Sequence, residues 1–370
     1  MTRLNRRQIL QTSAASVAML ATPSLIKAAG TQGELNLFGW GGYPWEPIYD
    51  AFKAETGITV NLIGQPNTQT MLAQVKLAIA DGGGDLCEPV QSNMRTCIDQ
   101  GLIQPFDSSR IDYTRYLDGM PGTKEGDESY YEGQQYTVPV IWGTQGMIFA
   151  EGDPNSKYGV ASLDHLFAPE YKGKLNIANE QMLISLGRIM DRDGQLPRPF
   201  LDSYESEEGF KAVYDAILPR AIELKSQVGQ FFASENDAIG GFLANGCTIG
   251  LNWQSTGQYV DDEGFDFVAP KEGAAAWCEV LMLMKNARNV DQAYEYIRFL
   301  STPKIAAQYS EVAASNPVAK GSVEEIGEKA RDFFQRAYPE DATSKLWWTP
   351  GAQGWFTRLQ GEYLDKWLSA

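Results

Sequence analysis

Strand-like and helix-like segments alternate over residues 34–90. Apolar residues and β-branched residues predict the strands, and apolar side chains at helical spacing predict the helices. The segments in order are strand 34–40, helix 46–56, strand 58–64, a helix begun by the N-cap residue Asn67, and strand 85–90. Because consecutive parallel strands need a crossover between them, this order predicts a parallel sheet with helices on its faces.

The same alternation returns further along the chain. Its segments are strand 173–179, helix 207–225, the apolar segment 242–253 and strand 265–270. An amphipathic helical stretch follows at residues 290–310, with a break near Pro303. A chain of 370 residues is long for a single core, so we expect about two domains.

A glycine-rich loop with aromatic residues follows the first predicted strand. Trp40 stands among Gly39, Gly41 and Gly42, and Tyr43 comes close behind. Ligands of open α/β sheets bind beyond the carboxyl ends of the strands. Four residues fall at such ends: Trp40, Glu88, Asn179 and Trp253. We therefore expect the glycines to let the loop backbone lie against a ligand.

Residues 1–29 are typical of an export signal. Arg6 and Arg7 precede a mildly apolar stretch, which ends in small residues at Ala28 and Ala29. The paired arginines resemble the twin-arginine type, which exports proteins already folded. We expect cleavage after Ala28 or Ala29 and residence in the periplasm.

The net charge of -16 argues against a nucleic acid or an anionic membrane as partner, because phosphate binding needs a basic face. No later segment is apolar for long enough to span a bilayer, so no membrane insertion is expected after the signal is removed. We expect a monomer.

Residues that could support catalysis or metal binding are scarce. The single histidine, His165, is expected to be solvated or to cap a short helix. The four cysteines allow several pairings, of which Cys87 with Cys97 is one, and buried unpaired thiols are the alternative: Cys87, Cys97, Cys247 and Cys278. No cofactor motif and no metal motif is present. In so acidic a chain, carboxylate pairs such as Glu235 and Asp237 indicate solvated surface.

Several segments resemble, in order, the periplasmic spermidine/putrescine-binding proteins of ABC transporters. The most telling are LNLFGWGGY at 35–43, YTVPVIWGTQGMIF at 136–149, GLNWQSTGQY at 250–259 and VAPKEGAAAWCEVLMLMKNARN at 268–289. The resemblance runs from about Leu35 to the C-terminus. It implies an α/β, two-lobed periplasmic binding protein fold (type II), in which each lobe is a mixed, mainly parallel sheet flanked by helices and the ligand lies in the interlobe cleft.

The resemblance also implies where the lobes meet. The chain would cross between them near Gly146 and near Trp277. Lobe 1 would contain residues 30–146 and 278–320, and lobe 2 would contain residues 147–277 and 321–370.

Carried onto this sequence, the ligand-binding positions of that family are Trp40, Tyr43, Glu180, Trp253, Trp277, Glu279 and Ser315. Aromatic faces attract ammonium groups, and carboxylates pair with them. Departures are also present. Gly42 and Leu183 replace expected acids, and Ser92 and Ser315 replace expected tyrosines. We therefore expect one strong cation subsite at Glu279 and a far end of the pocket that is largely uncharged.

The expected function is the capture of a small amine-bearing solute, which is handed to an inner-membrane ABC permease. A polyamine competes as ligand with a monoamine, a quaternary amine and an amino acid. The alternative is a secreted hydrolase that uses carboxylates, and a structural exported protein is a third possibility.

Overall fold

The computed structural model of the chain describes residues 33–123 and 129–370. The predicted export signal lies outside the described residues. The strands are β1 Glu34–Trp40, β2 Thr59–Gln65, β3 Leu86–Cys87, β4 Tyr130–Tyr131, β5 Gln134–Gln135, β6 Val138–Ala150, β7 Leu175–Ala178, β8 Val228–Phe232, β9 Ile249–Trp253, β10 Phe265–Val268, β11 Ala275–Leu283, β12 Asn316–Pro317 and β13 Trp347–Trp348. The α-helices are α1 Glu46–Thr56, α2 Thr68–Ala78, α3 Met94–Asp99, α4 Asn179–Arg192, α5 Asp202–Glu205, α6 Glu207–Leu224, α7 Glu235–Leu243, α8 Gln254–Val260, α9 Val290–Leu300, α10 Pro303–Val312, α11 Glu328–Ala337 and α12 Gly354–Ser369.

Local sequence signals set the first elements as predicted. Helix α1 ends at Gly57, whose left-handed backbone (φ 76°) lets its N–H reach the Lys53 carbonyl at 2.8 Å. Asn67 caps α2, because its side-chain oxygen accepts a hydrogen bond from the Thr70 N–H at 2.8 Å. Met71 and Val75 are fully buried on the inner face of α2.

Two long strands join the two halves of the main sheet. The strand order is β2-β1-β3-β11-β6-β9-β7-β8, and β10 and β12 pair with β6 while β13 pairs with β11. Strands β1, β2 and β3 are parallel, and so are β7, β8 and β9. Strands β6 and β11 run antiparallel to each other, and each also pairs with a strand of one half: β11 with β3, and β6 with β9.

The apolar core is divided in the same way. One cluster contains β1, α1 and α2 together with α9 and the end of β11, and it includes Phe38, Phe52 and Phe299. The second contains β7, α4, α6 and α12, and it includes Phe210, Tyr214 and Trp367. This two-lobed, mixed α/β arrangement confirms the predicted fold class.

The structure differs from the sequence-based expectations at several places, of which three concern long or central elements. Segment 242–253 is the end of α7, a turn and β9, because Gly246 adopts a left-handed backbone (φ 73°) between them. Strand β6 and the terminal helix α12 were not predicted. Strand β6 is buried along nearly its whole length, so it lacks the apolar–polar alternation that marks a half-exposed strand.

The single histidine, His165, is a capping residue, and this is one of the two roles expected from the sequence. The His165 ring nitrogen Nδ1 accepts a hydrogen bond from the Ser162 N–H at 3.3 Å, which completes a capping box at a short helix. All four cysteines are buried and none forms a disulfide. The Cys87 to Cys97 bridge is therefore not formed, and the unpaired alternative is confirmed.

None of the described helices combines the length and apolar character that crossing a bilayer requires.

Candidate functional site

A cleft with a cavity of about 910 Å³ lies between the two halves of the molecule. The first half contributes the loop after β1 and the start of α2, and the second half contributes the start of α7 and the start of α8. The residues that line it include Trp40, Tyr43, Glu235, Trp253, Ser255, Tyr259, Trp277, Glu279 and Ser315. Among the described residues, no lysine or arginine lines this cavity.

The loop after β1 is held in place mainly by its own backbone. Trp40 is the last residue of β1 and is half-buried, and its carbonyl accepts a hydrogen bond from the Trp45 indole at 2.8 Å. The Gly41 N–H donates to the Gln65 carbonyl at 3.0 Å, and a side chain at Gly41 would press on Gly64. Gly42 has a positive φ of 92° with open space around it.

These contacts change the explanation for the glycines. Gly41 is small because it packs on the neighbouring strand, and Gly39 is small because Leu62 and Glu88 lie against it. Gly41 and Gly42 both line the cavity, and at Gly42, which has open space around it, the backbone conformation favours glycine. Gly39 does not line the cavity, so the expectation of close approach to a ligand is wrong for Gly39, and for Gly41 and Gly42 it stays a prediction.

Strand β11 places Trp277 and Glu279 in the cavity together. Side chains two residues apart on a strand point to the same face, as the sequence indicated. Trp277 is half-buried and rests on Gly143, its partner across the strand pair. Glu279 is half-buried at the cleft floor, and its backbone also bridges to Val90.

Two carboxyl groups lie close together beneath the cleft. Burial, followed by the charge of Glu88, holds the pKa of Glu279 well above its usual value. The Trp40 indole N–H lies close to Glu279 but outside hydrogen-bond geometry. Glu88 is 1 % exposed, and burial raises its pKa to about 8 even though its two carboxyl oxygens each lie 2.8 Å from the Tyr309 hydroxyl. Burial thus favours the protonated form of both carboxyl groups in the structure described here.

A third carboxyl group enters the cleft from the other half. Glu235 is the first residue of α7, and its Oε2 accepts a hydrogen bond from the Ser255 hydroxyl at 2.9 Å. Burial raises the pKa of Glu235. The cavity wall thus contains an acid that the sequence-based list of site residues did not include. The sequence interpretation treated Glu235 as solvated surface, because nothing in a run of acids shows which one a fold turns inward.

The other predicted residues divide into two groups. Trp253 lies edge-on to Phe232, with ring centroids 5.0 Å apart, and one side of it faces the cavity. Ser315 also lines the cavity. Glu180 is half-buried in the first turn of α4 and is not among the residues that line the cleft. The structure thus brings together six of the seven predicted positions; the ligand-binding roles themselves stay predictions.

The family model described as bacterial extracellular solute-binding protein matches residues 48–337. The chain belongs to this family. It is 28% identical over 312 residues to the spermidine/putrescine-binding periplasmic protein of Escherichia coli, covering 82% of each chain. It is 24% identical over 365 residues to the putrescine-binding periplasmic protein of the same organism, covering 94% of this chain and 93% of the relative.

Solved structures agree on the fold. The spermidine/putrescine ABC transporter substrate-binding protein of Streptococcus pneumoniae superposes with a TM-score of 0.70 at 19% identity, covering 91% of this chain and 98% of that one. Family membership confirms the expected role in solute binding outside the cytoplasm. It gives no support to the carboxylate-based hydrolase.

Proposed function

We propose that this protein captures a small amine-bearing solute in its interlobe cleft, closes on it, and delivers it to an inner-membrane ABC permease. One observation carries the proposal: the cleft contains two carboxyl groups and five aromatic residues, and no cationic side chain among the described residues lines it. A carboxylate that is partly removed from water is stable only with a cation or a proton beside it. An ammonium group supplies that cation, and aromatic faces attract it further.

The named ligands of the relatives fit the same chemistry. The Escherichia coli proteins are named for spermidine and putrescine, which are aliphatic amines. Within the cleft, Glu279 would pair with the ammonium group while Trp40 and Trp277 cover its methylene chain. An anionic solute would meet uncompensated negative charge on both sides of the cleft, so such solutes are disfavoured.

The lobes that would close are residues 30–146 with 278–320 and residues 147–277 with 321–370. Support comes from β6 and β11, which pair with each other and continue into opposite halves of the sheet. When two lobes close about a hinge, the molecule becomes more compact. Small-angle scattering should therefore show a smaller radius of gyration when the protein is saturated with its amine, and an unchanged radius at saturation would contradict closure.

Export by the twin-arginine route belongs to the same proposal. The four buried thiols, none of them in a disulfide, suit a protein that folds in the reducing cytoplasm before it crosses the membrane. Replacing Arg6 and Arg7 by lysine should leave the full-length precursor inside the cell. Normal processing of that variant would contradict this route.

The direct test is a binding screen with putrescine, spermidine, butylamine, γ-aminobutyrate and glucose. A ligand at 100 times its dissociation constant stabilises a protein by about 2.7 kcal/mol, so true ligands should raise the melting temperature. Glu279→Gln should weaken binding of the best amine by about 2 to 5 kcal/mol, the usual cost of unpairing a buried charge. Glu263→Gln, at an exposed position outside the cleft, is the matched control and should bind normally.

Two outcomes would contradict the proposal. The first is that glucose or another uncharged solute stabilises the protein and no amine does. The second is that Glu279→Gln folds normally and binds the amine as tightly as the unaltered protein.

A further inference from the structure

A chain of side-chain hydrogen bonds lies behind the cleft, where the two halves of the molecule meet. Gln254 and Asn316 exchange two amide bonds: the Gln254 Nε2 donates to the Asn316 Oδ1 at 2.7 Å, and the Asn316 Nδ2 donates to the Gln254 Oε1 at 2.6 Å. The Tyr338 hydroxyl donates to the same Gln254 oxygen at 2.7 Å, and it lies 2.7 Å from the Thr144 hydroxyl. All four side chains are at most 4 % exposed.

This chain links the two proposed lobes at two points. Asn316 lies in β12 and Thr144 in β6, and both fall within lobe 1. Gln254 is the first residue of α8 and Tyr338 follows α11, and both fall within lobe 2. The bonds between Gln254 and Asn316 therefore cross from one lobe to the other, and so does the bond between Thr144 and Tyr338.

The amide pair of Gln254 and Asn316 stands directly behind the wall of the cleft. Gln254 lies between Trp253 and Ser255 in the sequence. Asn316 follows Ser315. These three neighbours all line the cleft cavity, whereas the two amides are not among its lining residues. A rotation of one amide against the other therefore moves cleft walls of both lobes.

The chemistry of the pair favours bonds that stay intact when the lobes move. A buried amide that loses its partner bears the full cost of having left water, and the reciprocal bonds of Gln254 and Asn316 avoid that cost for one donor and one acceptor on each side chain. Two parallel bonds also fix the orientation of one amide against the other, which a single bond does not. The lobes can therefore rotate about this pair at a lower cost than they can separate at it.

We propose that Gln254 and Asn316 form the pivot about which the lobes close, and that this pair positions Trp253, Ser255 and Ser315 for solute binding. Gln254 and Asn316 are positioning residues, because they act through their neighbours in the cleft wall. This inference rests on the proposed function and adds to it the residues that set the angle between the cleft walls.

The first test is Asn316→Leu, which removes both amide bonds at similar side-chain volume. Calorimetry should show that putrescine binds about 5- to 30-fold more weakly, the effect expected from the loss of two hydrogen bonds. Hydrogen exchange without any ligand gives a second measurement. Amides of residues 251–257 in lobe 2 and of residues 314–318 in lobe 1 should both exchange faster than in the unaltered protein.

The second test exchanges the two side chains. Gln254→Asn shortens one partner and Asn316→Gln lengthens the other, so each single variant disturbs the reciprocal bonds and should weaken putrescine binding. The double variant keeps the summed length of the two side chains. It should restore the affinity to within about threefold of the unaltered protein, because residues in direct contact do not act additively.

Asn289→Leu is the matched control. Asn289 is also buried, and its Nδ2 donates to the Asp85 carboxylate at 3.0 Å, but both residues lie within lobe 1. This variant should lower the melting temperature and leave putrescine affinity unchanged. It thus separates a loss of stability from a loss of the pivot.

The outcomes separate this inference from the proposed function. If Asn316→Leu binds putrescine as tightly as the unaltered protein, or if the double variant binds no better than the single variants, the pivot is wrong while amine capture stands. If putrescine, spermidine and butylamine all fail to bind the unaltered protein, the proposed function fails. Hydrogen exchange then decides on the pivot alone: faster exchange in both segments supports it, and unchanged exchange overturns it.

Discussion

The indole ring of Trp277 rests directly on the backbone of Gly143, its partner across the β6–β11 strand pair. A β-carbon added at Gly143 would overlap that ring. A hydrogen at this position is therefore what allows the ring to lie flat along the wall of the cleft.

Gly143→Ala should displace the Trp277 ring and weaken amine binding by about 1 to 2 kcal/mol through loss of the cation–π and apolar contact. Overpacking in this buried strand should also destabilise the fold by about 1 to 3 kcal/mol. Calorimetry and thermal melting measure the two effects separately. Gly361→Ala is the control, since nothing lies within 4 Å of that site in α12. Normal amine affinity in Gly143→Ala would show that the ring position is unimportant for binding.

Trp40→Ala should weaken amine binding by about 1 to 2 kcal/mol, because it removes an aromatic face and apolar area from the cavity wall. The Trp45 indole would keep its bond to the backbone carbonyl of residue 40, so the loop should hold its shape. Trp355→Ala removes another half-buried tryptophan that lies outside the cleft, and it should bind normally. Equal affinities for the Trp40 variant and the unaltered protein would assign Trp40 to packing alone.

The Glu88 and Glu279 pair should make stability and binding respond oppositely to pH. The folded-state pKa of Glu88 is raised from 4.5 to about 8, so the folded protein binds more protons than the unfolded chain in that interval. The free energy of unfolding of the ligand-free protein should therefore fall as pH rises from about 4.5 to about 8, by at most about 1.4 kcal/mol per pH unit for this group. Amine affinity should rise over the same range, because the ammonium group favours ionised carboxylates and releases a proton.

Urea unfolding across this pH range, in the unaltered protein and in Glu88→Gln, measures the first effect. Calorimetry in buffers of different ionisation enthalpy counts the protons released on binding. Glu88→Gln should flatten the stability profile and reduce the proton count. If the free energy of unfolding of Glu88→Gln depends on pH as strongly as that of the unaltered protein, the dependence comes from other groups.

The thiols should be inert in the native protein. Burial raises the pKa of Cys97 to about 12 and that of Cys247 to about 11, and the pKa of Cys87 also lies well above its usual value. An alkylating reagent should modify all four cysteines in denaturant, and it should modify none of them rapidly in the native protein. Mass spectrometry measures the extent of modification. Reductant should leave amine affinity unchanged. Rapid modification of a native thiol would indicate local opening that the packing does not suggest.

Sequence alone was enough to predict the elements that local signals define. Gly57 and Asn67 fix the ends of α1 and α2 through backbone and side-chain hydrogen bonds within a few residues of each other. Trp277 and Glu279 could be placed on one face because the period of a strand is two.

The rest depends on contacts between distant parts of the chain. Glu235 resembles other acids in sequence, and only the meeting of α7 with Ser255 of α8 turns it into part of the cleft. Glu180, which the family resemblance placed in the site, follows β7 into α4 and does not line the cavity. Local patterns carry no information about such convergence.

Strands β6 and β11, which join the two halves of the sheet, also determine when the first half can complete its folding during synthesis. Strand β3 has β1 on one side, but its other neighbour, β11, leaves the ribosome only after all of β6 to β10 has been made. The edge of β3 therefore stays unpaired until β11 has been synthesised. An unpaired strand edge can pair with another chain and so promote aggregation during this interval. Pairings this distant in sequence also slow the folding reaction. We expect the nascent chain to need protection by a chaperone at this stage, and we expect a truncation that ends before β11 to be insoluble.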